Sequence, residues 1–348
     1  MHKVCSYKPH LMVGDQSYPA YELTNLISYL KKQFGVEAVD KLCQEIGIGE
    51  NELALSQFVY VWQVDYAMTF LQRLSQDPEV GAKAASEYKV TDLGFLLGYL
   101  TAYKTLGECL EFVIAHPELV GSFSDTLIRN EEGLLKVRWL NTNKLDVNKY
   151  SCQFQHSVAS LMTFARELTG AEVNVKEIWL AEPQRNTEFF ASCTGASISF
   201  DSEFFEWSIE HALLSLPITF SFAEVNPSIV IDPSNSYISE LLSELRESAP
   251  DLPSMDSMAL AQNISSRTLR RRLSNAGTSY QKLVDQVRCQ MAIDLILSSE
   301  RSIESISDYM GFGDVSHFRQ SFKHWIGHPP GHFHRLNRGK DKASGSLV

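Results

Sequence analysis

The chain lacks the features that mark membrane and secreted proteins. No window of 18 uninterrupted apolar residues occurs, so the sequence predicts no transmembrane helix. The N-terminal stretch MHKVCSYKPHLMVGD has no apolar segment of the kind that a secretory signal needs. Six cysteines are scattered without a CxxC pair, which is typical of reduced thiols that act as small core residues. We therefore expect a cytoplasmic protein without a membrane partner.

Motifs for catalysis and cofactor binding are also missing. The chain contains neither GxSxG nor HExxH. The stretches GIGE (47–50) and GFGD (311–314) lack the third glycine and the preceding strand of a phosphate-binding loop. We expect no enzyme activity and no cofactor. The alternative is an enzyme domain fused to a second module, but no catalytic constellation supports it.

A zinc site is the one metal-binding pattern to weigh. His324, His328 and His332 are spaced by four, which would suit zinc on a continuous helix, and His334 lies nearby. The Pro329–Pro330 pair interrupts the helix between them, and no cysteine or carboxylate completes the ligand set. We expect no metal site here, and interpret these histidines as surface residues.

Positive charge is scarce but concentrated. The chain holds 31 basic and 42 acidic residues, a formal net charge of −11. Residues 1–233 carry a net charge of −13, whereas residues 234–348 carry +2 and residues 265–342 alone carry +6. The stretch SSRTLRRRL (265–273) lies in this basic part. A basic terminal module on an acidic body predicts that only the module binds a polyanion, although a basic triplet alone is also typical of a solvated helix face.

The hydrophobic pattern predicts two domains, an α+β N-terminal domain and an all-α C-terminal domain. The N-terminal domain should combine a helical lobe, in which one helix has apolar residues at 23, 26, 27, 30 and 34, with a small mixed lobe. We expect this mixed lobe to include a hairpin at 125–140, a strand at 173–182 and a short strand at 195–200. Pro227 and Pro233 interrupt any helix between the two domains. The expected boundaries are an N-terminal domain at 1–222, a linker at 223–233, a C-terminal domain at 234–338 and a flexible tail at 339–348.

Within the C-terminal part, a short helix–turn–helix pattern occurs twice. Leu269 and Leu273 share one helical face in the first unit, and Phe318 and Phe322 repeat this spacing in the second. Ser265 and Asp314 are the expected N-caps, and Gly277 is the expected end of the first basic helix. A helix of about 20 residues between the units would span about 30 Å, close to the ~34 Å of one DNA turn.

Each second helix is therefore a candidate to enter a major groove of double-stranded DNA. Arginine suits this role because its planar fork pairs with guanine or clamps phosphates. The candidate DNA-binding residues lie on the faces opposite the leucine and phenylalanine pairs. They are Ser265, Arg267, Arg270 and Arg271 on the recognition helix of the first unit, and Ser316, His317, Arg319, Gln320 and Lys323 on that of the second.

The same motifs resemble a known family. Residues 234–335, with SSRTLRRRLSNAGTSYQKLVDQVR, AIDLIL and ISDYMGFGDVSHFRQSFKHWIGHPPGHF, are similar to the DNA-binding domain of AraC/XylS-type transcription regulators. Ser307, Gly313 and His334 depart from that family's usual alanine, serine and arginine. The resemblance implies base-contacting residues on the SSRTLRRRL helix.

The upstream part resembles the effector domain of ornithine- and arginine-responsive regulators of that family, which differs from the sugar-binding β-barrel of its founding member. DPEVGAKAAS, YKTLGECLEFVIAH, LIRNEEGLLKVRW and the stretch from VKEIWLAE to ALLSLPI carry this likeness. It implies a bacterial regulator that responds to a small molecule, and the resemblance covers roughly residues 20–335.

We therefore expect a sequence-specific DNA-binding transcription regulator that acts at the nucleoid and is modulated by an effector. Double-stranded DNA and an effector of unassigned identity are the expected partners, with RNA polymerase and a second copy of the chain as further candidates. The alternative is a ligand-independent regulator whose N-terminal domain binds other proteins. The effector-binding residues are not assigned; Trp62, Trp139, Trp179 and Trp207 could line a cavity or be ordinary core.

Overall fold

A computed structural model describes residues 5–8, 17–140, 147–221, 237–275, 278–299, 301–326, 329–331 and 333. The N-terminal part is helical up to residue 120, apart from short strands. Its elements are β1 Cys5–Lys8, β2 Ser17–Pro19, α1 Ala20–Phe34, α2 Val36–Ile46, α3 Glu50–Leu53, β3 Phe58–Tyr60, α4 Val61–Ser75, α5 Val80–Ala85, a 3-10 turn Val90–Leu93, α6 Phe95–Leu100, α7 Leu106–Ala115 and α8 Pro117–Val120. The helices pack around apolar stripes such as Leu23, Leu26, Ile27 and Leu30.

A six-stranded sheet follows, crossed by one long helix. Its further elements are β4 Asp125–Glu131, β5 Leu134–Leu140, α9 Val147–Thr169, β6 Glu177–Trp179, α10 Glu188–Thr194, β7 Ser197–Ser199, β8 Phe205–Glu210 and α11 His211–Leu214. The strand order is β1-β4-β5-β8-β6-β7, and only the β6–β7 pair is parallel. β2 and β3 form a separate two-stranded sheet. The N-terminal domain is thus α+β, with α9 buried along most of its length.

The C-terminal part is all helical in the residues that the structure describes. It contains α12 Tyr237–Ser248, α13 Met255–Ala261, α14 Ser266–Asn275, α15 Tyr280–Ser298, α16 Ile303–Tyr309 and α17 Val315–Ile326. α15, at 19 residues, contributes to two hydrophobic clusters. Its first half packs with α12, α13 and α14, and its second half packs with α16 and α17.

Local sequence signals account for many of these boundaries. The TLGE motif forms a capping box at the start of α7: the Glu108 N–H donates to Thr105 Oγ1 at 3.3 Å, and the Thr105 N–H donates to Glu108 Oε2 at 3.3 Å. The predicted hairpin is confirmed, with β4 and β5 paired from Asp125↔Leu140 to Glu131↔Leu134. α9 ends at Thr169 and is followed by Gly170, whose φ of +63° lies in the left-handed region.

Three details differ from the sequence predictions. The strand expected over 173–182 covers only Glu177–Trp179. The Val175 N–H donates to the Thr194 carbonyl of α10 rather than to a strand, although the Lys176 and Leu180 N–H groups still donate to Ser208 of β8 and Ser199 of β7. The central strand β8 and the edge strand β1 were not predicted. Phe34, expected on the apolar face of α1, is 37% exposed, because α1 ends at this residue. The predicted linker at 223–233, Gly277 and the tail at 339–348 lie outside the described residues.

Among the helices that the structure describes, none is both long enough and apolar enough to cross a bilayer.

Candidate DNA-contacting helices and effector cavity

α14 presents the first group of candidate residues. Leu269 and Leu273 are 0% and 1% exposed and anchor the helix in the first C-terminal cluster. As a consequence of that spacing, Arg267, Arg270 and Arg271 are exposed. Each guanidinium is thus accessible to a polyanion, as the leucine spacing predicts.

Two other residues of this segment have clear structural roles. Ser265 is exposed and caps α14, because the Thr268 N–H donates to its Oγ at 3.1 Å. Arg272 is exposed as well, but its guanidinium lies over the Tyr237 ring, 4.9 Å from the centroid. The three consecutive arginines therefore have different environments.

α17 presents the second group in the same manner. Phe318 and Phe322 are both 0% exposed, and Ser316, His317, Arg319, Gln320 and Lys323 are all exposed. The Arg319 Nη2 atom lies 2.9 Å from Glu304 Oε1 in an ion pair whose side chains are both about half exposed. The His317 ring contacts the edge of Phe312 at a centroid distance of 5.3 Å. Gln320 and Lys323 remain at the surface of the helix.

The two helix pairs, α13–α14 and α16–α17, are built alike. Each first helix is capped by a serine, with the Ser257 N–H donating to Ser254 Oγ and the Ser305 N–H donating to Ser302 Oγ, both at 3.1 Å. Each turn contains one residue in the left-handed region, Asn263 at φ +55° and Gly311 at φ +74°. This shared geometry is the backbone counterpart of the repeated sequence pattern.

The turns of the α13–α14 and α16–α17 pairs also contain equivalent backbone hydrogen bonds. The Ile264 N–H donates to the Ala259 carbonyl, and the Phe312 N–H donates to the Ser307 carbonyl, both at 3.0 Å. Asp314 caps the last helix, because the His317 N–H donates to its Oδ1 at 2.8 Å. Ser307, a departure from the family pattern, is buried at 1% exposure and keeps the turn geometry of the first pair.

The N-terminal domain encloses a cavity of about 150 Å³. Its walls come from α1, α6, α7, α9 and the strands β4, β5 and β8, and most lining side chains are apolar. They include Leu96, Leu100, Val113, Phe164, Leu168 and Trp207. Of the four tryptophans in question, Trp139 and Trp207 line this cavity, whereas Trp62 and Trp179 are not among its walls.

One carboxyl group reaches this apolar space. Glu22 lines the cavity and is only 6% exposed, and its Oε1 lies 3.2 Å from Nδ1 of His156. The Nε2 atom of that ring lies 2.7 Å from the Tyr88 hydroxyl. Tyr18 donates a further hydrogen bond to Glu22. Tyr18, Glu22, Tyr88 and His156 thus form a buried polar network beside the cavity.

Burial decides the charge of this network. Burial raises the pKa of Glu22 to about 7, although the Tyr18 hydrogen bond lowers it, and burial lowers the pKa of His156 to about 3. The short distance between Glu22 and His156 would suit an ion pair, but both shifts favour the neutral forms. Glu22 is therefore mostly protonated below pH 7 and divided between its protonated and ionised forms near pH 7, whereas His156 is neutral under both conditions.

The central sheet separates the cavity from the C-terminal domain. Thr126 and Trp139 line the cavity, while their chain neighbours Leu127 and Leu140 are buried in one cluster with α15 residues such as Ile293. Side chains alternate between the two faces of a strand, so β4 and β5 each contact both compartments. Phe204, just before β8, also joins the α15 cluster.

The opposite face of the sheet also carries buried charge. Glu206 on β8 pairs with Arg129 at 2.9 Å and with Arg138 at 2.5 Å, and all three side chains are at most 11% exposed. The Arg138 guanidinium lies over the Phe204 ring, 4.8 Å from the centroid. A carboxylate held by two guanidinium groups is the geometry in which burial of charge is best compensated.

Sequence reasoning found the exposed arginine helix but not the cavity network. A signal was present: Glu22 lies four residues before Leu26 and eight before Leu30, so helical spacing places its carboxyl group on the apolar face of α1. No local pattern connects Glu22 with His156, since the two residues are 134 positions apart.

The histidines that were weighed as a zinc site lie mostly outside the described residues, namely His328, His332 and His334. The described part of the chain contains no cluster of metal-ligating side chains.

Two family models match this chain. Residues 258–336 match a helix-turn-helix domain, and residues 38–218 match the N-terminal arabinose-binding domain of AraC transcription regulators. The second match alone covers more than half of the 348 residues. Together they define a DNA-binding transcription regulator with a helical C-terminal helix-turn-helix domain. The chain belongs to the AraC family, in the branch with this N-terminal domain.

Known relatives agree with this assignment. The ornithine utilization regulator of Pseudomonas aeruginosa is 23% identical over 274 residues, which cover 74% of this chain and 79% of the relative. The transcriptional regulator VqsM of the same organism is 23% identical over 273 residues, which cover 71% and 81% of the two chains. These relatives are transcription regulators and not enzymes. The crystal structure of CdpR, also from P. aeruginosa, aligns over 90% of this chain and 98% of that one, with 18% identity and a TM-score of 0.40.

Proposed function

We propose that this protein binds specific double-stranded DNA through α14 and α17 and that a small molecule in the N-terminal cavity modulates this binding. We base the proposal on one observation: the sheet that forms a wall of the cavity packs its other face against α15. A ligand that moves β4 or β5 would therefore act directly on the helix that carries both helix pairs.

In this proposal the pairs α13–α14 and α16–α17 are two helix-turn-helix units joined by α15. α15, with 19 residues, is about 28 Å long. This length suits two recognition helices, α14 and α17, placed in successive major grooves about 34 Å apart. Arg267, Arg270 and Arg271 would contact bases and adjacent phosphates from α14, near the Ser265 cap.

On α17, Ser316, Arg319 and Gln320 would approach base edges, while His317 and Lys323 would lie nearer the backbone. Arg319 would have to exchange its ion pair with Glu304 for the DNA. That exchange costs little, because an ion pair between exposed side chains contributes little to stability.

The functional divisions of the chain follow from these roles. We propose a regulatory domain over 1–222, a linker over 223–233, a DNA-binding domain over 234–338 and a tail over 339–348. RNA polymerase and a second copy of the chain are the further partners that we expect at a promoter, in the nucleoid of the bacterial cytoplasm. The competing function is a ligand-independent regulator whose N-terminal domain is a protein-binding scaffold.

DNA binding is tested by selecting bound duplexes from a randomised library with the full chain and measuring affinity between 50 and 200 mM salt. The logarithm of affinity should fall against the logarithm of salt with a slope of about −0.9 for each phosphate that is neutralised. The net charge of +6 on residues 265–342 predicts a steep slope. A flat response, or the absence of any enriched sequence, would contradict specific DNA binding.

A further inference from the structure

The cavity in the N-terminal domain has a chemical character that restricts its ligand, and this inference rests on the proposed effector role. At about 150 Å³ the cavity has the size of an engineered apolar cavity that holds one benzene molecule. A ligand whose body is about the size of benzene, with its six carbon atoms, therefore fits. Its body must be apolar, because Leu96, Leu100, Val113, Phe164 and Leu168 form much of the wall.

The described wall contains no cation. Among the residues that line the cavity there is no lysine, arginine or histidine, and Glu22 is the one acidic side chain. A carboxylate ligand would lose its hydration without gaining a charged partner, which is costly in an apolar site. The wall thus disfavours fatty acids, aromatic acids and free amino acids.

Four hydroxyl groups of the wall already donate to backbone carbonyls. Tyr21 donates to the Val120 carbonyl at 3.1 Å, Ser124 to the Leu140 carbonyl at 2.8 Å, and Ser160 to the Ser157 carbonyl at 3.0 Å. Thr126 donates to the Ser124 carbonyl at 3.3 Å. A hydroxyl whose proton is engaged can still accept a hydrogen bond, so these groups offer lone pairs to a ligand.

Glu22 adds the strongest acceptor to this set. Its carboxyl group contacts His156 and accepts from Tyr18 on the protein side, and a carboxyl group has room for further hydrogen bonds on its two oxygens. Acceptors grouped around Glu22 favour a donor at this end of the ligand.

We propose that the cavity binds a compact apolar molecule that carries a single hydrogen-bond-donating, non-anionic group, a hydroxyl or an amine, directed at Glu22. The apolar walls bury the body of the ligand, and Glu22 with the neighbouring hydroxyl oxygens accepts from its polar end. Ornithine does not meet this description, because it adds a carboxylate and a second amine.

Four probes with matched sizes test this chemistry on the full chain: benzyl alcohol, benzylamine, benzoate and ornithine. Benzyl alcohol or benzylamine, at saturating concentration, should raise the melting temperature by about 3 °C or more, whereas benzoate and ornithine should not. A Glu22→Gln variant should lose at least about tenfold in affinity for benzylamine while it keeps most of its affinity for benzyl alcohol. This difference separates a charged from a neutral role of the carboxyl group.

A variant whose larger side chain fills the cavity tests whether the probes bind there. Ala165→Leu places three additional carbons into the space and should abolish the shift, whereas Ala212→Leu on the exposed start of α11 should leave it unchanged. Val113→Leu, at a half-buried wall position, is the second filling variant if Ala165→Leu does not fold.

The outcomes are distinguishable. A shift by benzoate or ornithine that disappears in the filled variant would keep the effector role and overturn the proposed ligand chemistry. A shift that survives filling would place the ligand outside the cavity and overturn the inference. No shift with any of the four probes would overturn the inference, and the proposed effector role would then depend on whether Ala165→Leu alters DNA affinity.

Discussion

At the scale of single residues, neighbouring arginines have different environments. Arg271 is exposed on α14, whereas the guanidinium of Arg272 lies 4.9 Å from the centroid of the Tyr237 ring on α12. A cation over an aromatic ring contributes to folding at the expense of its freedom to contact DNA. Sequence position alone does not separate the two side chains, but packing does.

Replacing Arg271 with alanine should weaken binding to the selected DNA site by about 1–3 kcal/mol and relax specificity at one or two adjacent bases. Arg272→Ala should cost less in binding and leave the sequence preference intact, with a loss of folding free energy of about 0.5–1 kcal/mol from the lost ring contact. Titration of both variants on cognate and single-base-substituted duplexes measures these effects. Normal cognate binding by Arg271→Ala would show that the exposed arginines are only a solvated face.

The buried pair of Glu22 and His156 makes stability depend on pH in opposite senses. Burial raises the pKa of Glu22 from 4.5 to about 7, so the native state retains a proton that the unfolded chain releases. This contribution is complete below about pH 4.5 and is lost as the pH rises through 7. Burial lowers the pKa of His156 from 6.5 to about 3, so its contribution is complete above pH 6.5 and is lost as the pH falls towards 3.

Glu22→Gln should remove the first contribution and leave the second, with Tyr18 and Tyr88 as the other groups of the network. The free energy of unfolding of the variant minus that of the wild type should rise by up to about 3 kcal/mol as the pH increases from 4.5 to 8. Chemical denaturation of both proteins across this pH range measures the difference. A constant difference between the two proteins would show that Glu22 is ionised throughout.

At the scale of elements, two buried phenylalanines orient α17. Phe318 and Phe322 hold one face in the α15 cluster, so Gln320 and Lys323 are exposed on the remaining surface. The two side chains differ in the information they can read: an amide can bond bidentately to an adenine edge, whereas an ammonium group is a point charge for phosphate.

Gln320→Ala should change the base preference at one position of the site and leave nonspecific affinity nearly unaltered. Lys323→Ala should weaken binding to all sequences alike and reduce the salt slope by about 0.9. Selection on randomised duplexes, followed by salt titration, separates these effects. If Gln320→Ala selects the same site as the wild type, the assignment of a base contact to this residue is wrong.

At the scale of the whole molecule, one sheet connects the two domains. β4 and β5 carry Thr126 and Trp139 on the cavity face and Leu127 and Leu140 on the α15 face. If the cavity and the DNA-contacting helices are coupled, a change at the cavity wall would act through these two strands on α15, which packs with α14 and α17.

Leu127→Ala should therefore weaken the coupling between the cavity and the DNA-binding helices. Leu127 is 0% exposed in the α15 cluster, so its replacement removes packing at the contact between the domains and leaves the cavity wall in place. The effect of a cavity ligand on DNA affinity, expected at about 5–150-fold in a coupled regulator, should shrink while ligand binding is retained.

Ile128→Ala is the matched control for this prediction. Ile128 follows Leu127 on β4 but belongs to the N-terminal core rather than the α15 cluster. This variant should lower the stability of the N-terminal domain and keep the coupling. Equal loss of coupling in both variants would indicate a general effect of destabilisation and would contradict transmission through the α15 face.

The sequence by itself determined the local features of this protein. Ser265 and Asp314 cap their helices, and the pairs Leu269–Leu273 and Phe318–Phe322 are buried, because caps and helical spacing act over three or four residues. The same local signals predicted the hairpin of β4 and β5.

Only the tertiary structure decided which distant residues meet. Glu22 becomes a buried acid with a raised pKa because it lies inside the N-terminal domain in contact with His156 of α9 and with Tyr18. Trp139 lines a cavity while Leu140 belongs to the α15 cluster, because the sheet lies between two compartments. Desolvation and packing depend on the sum of contacts from many segments, and periodicity along one segment does not contain that information.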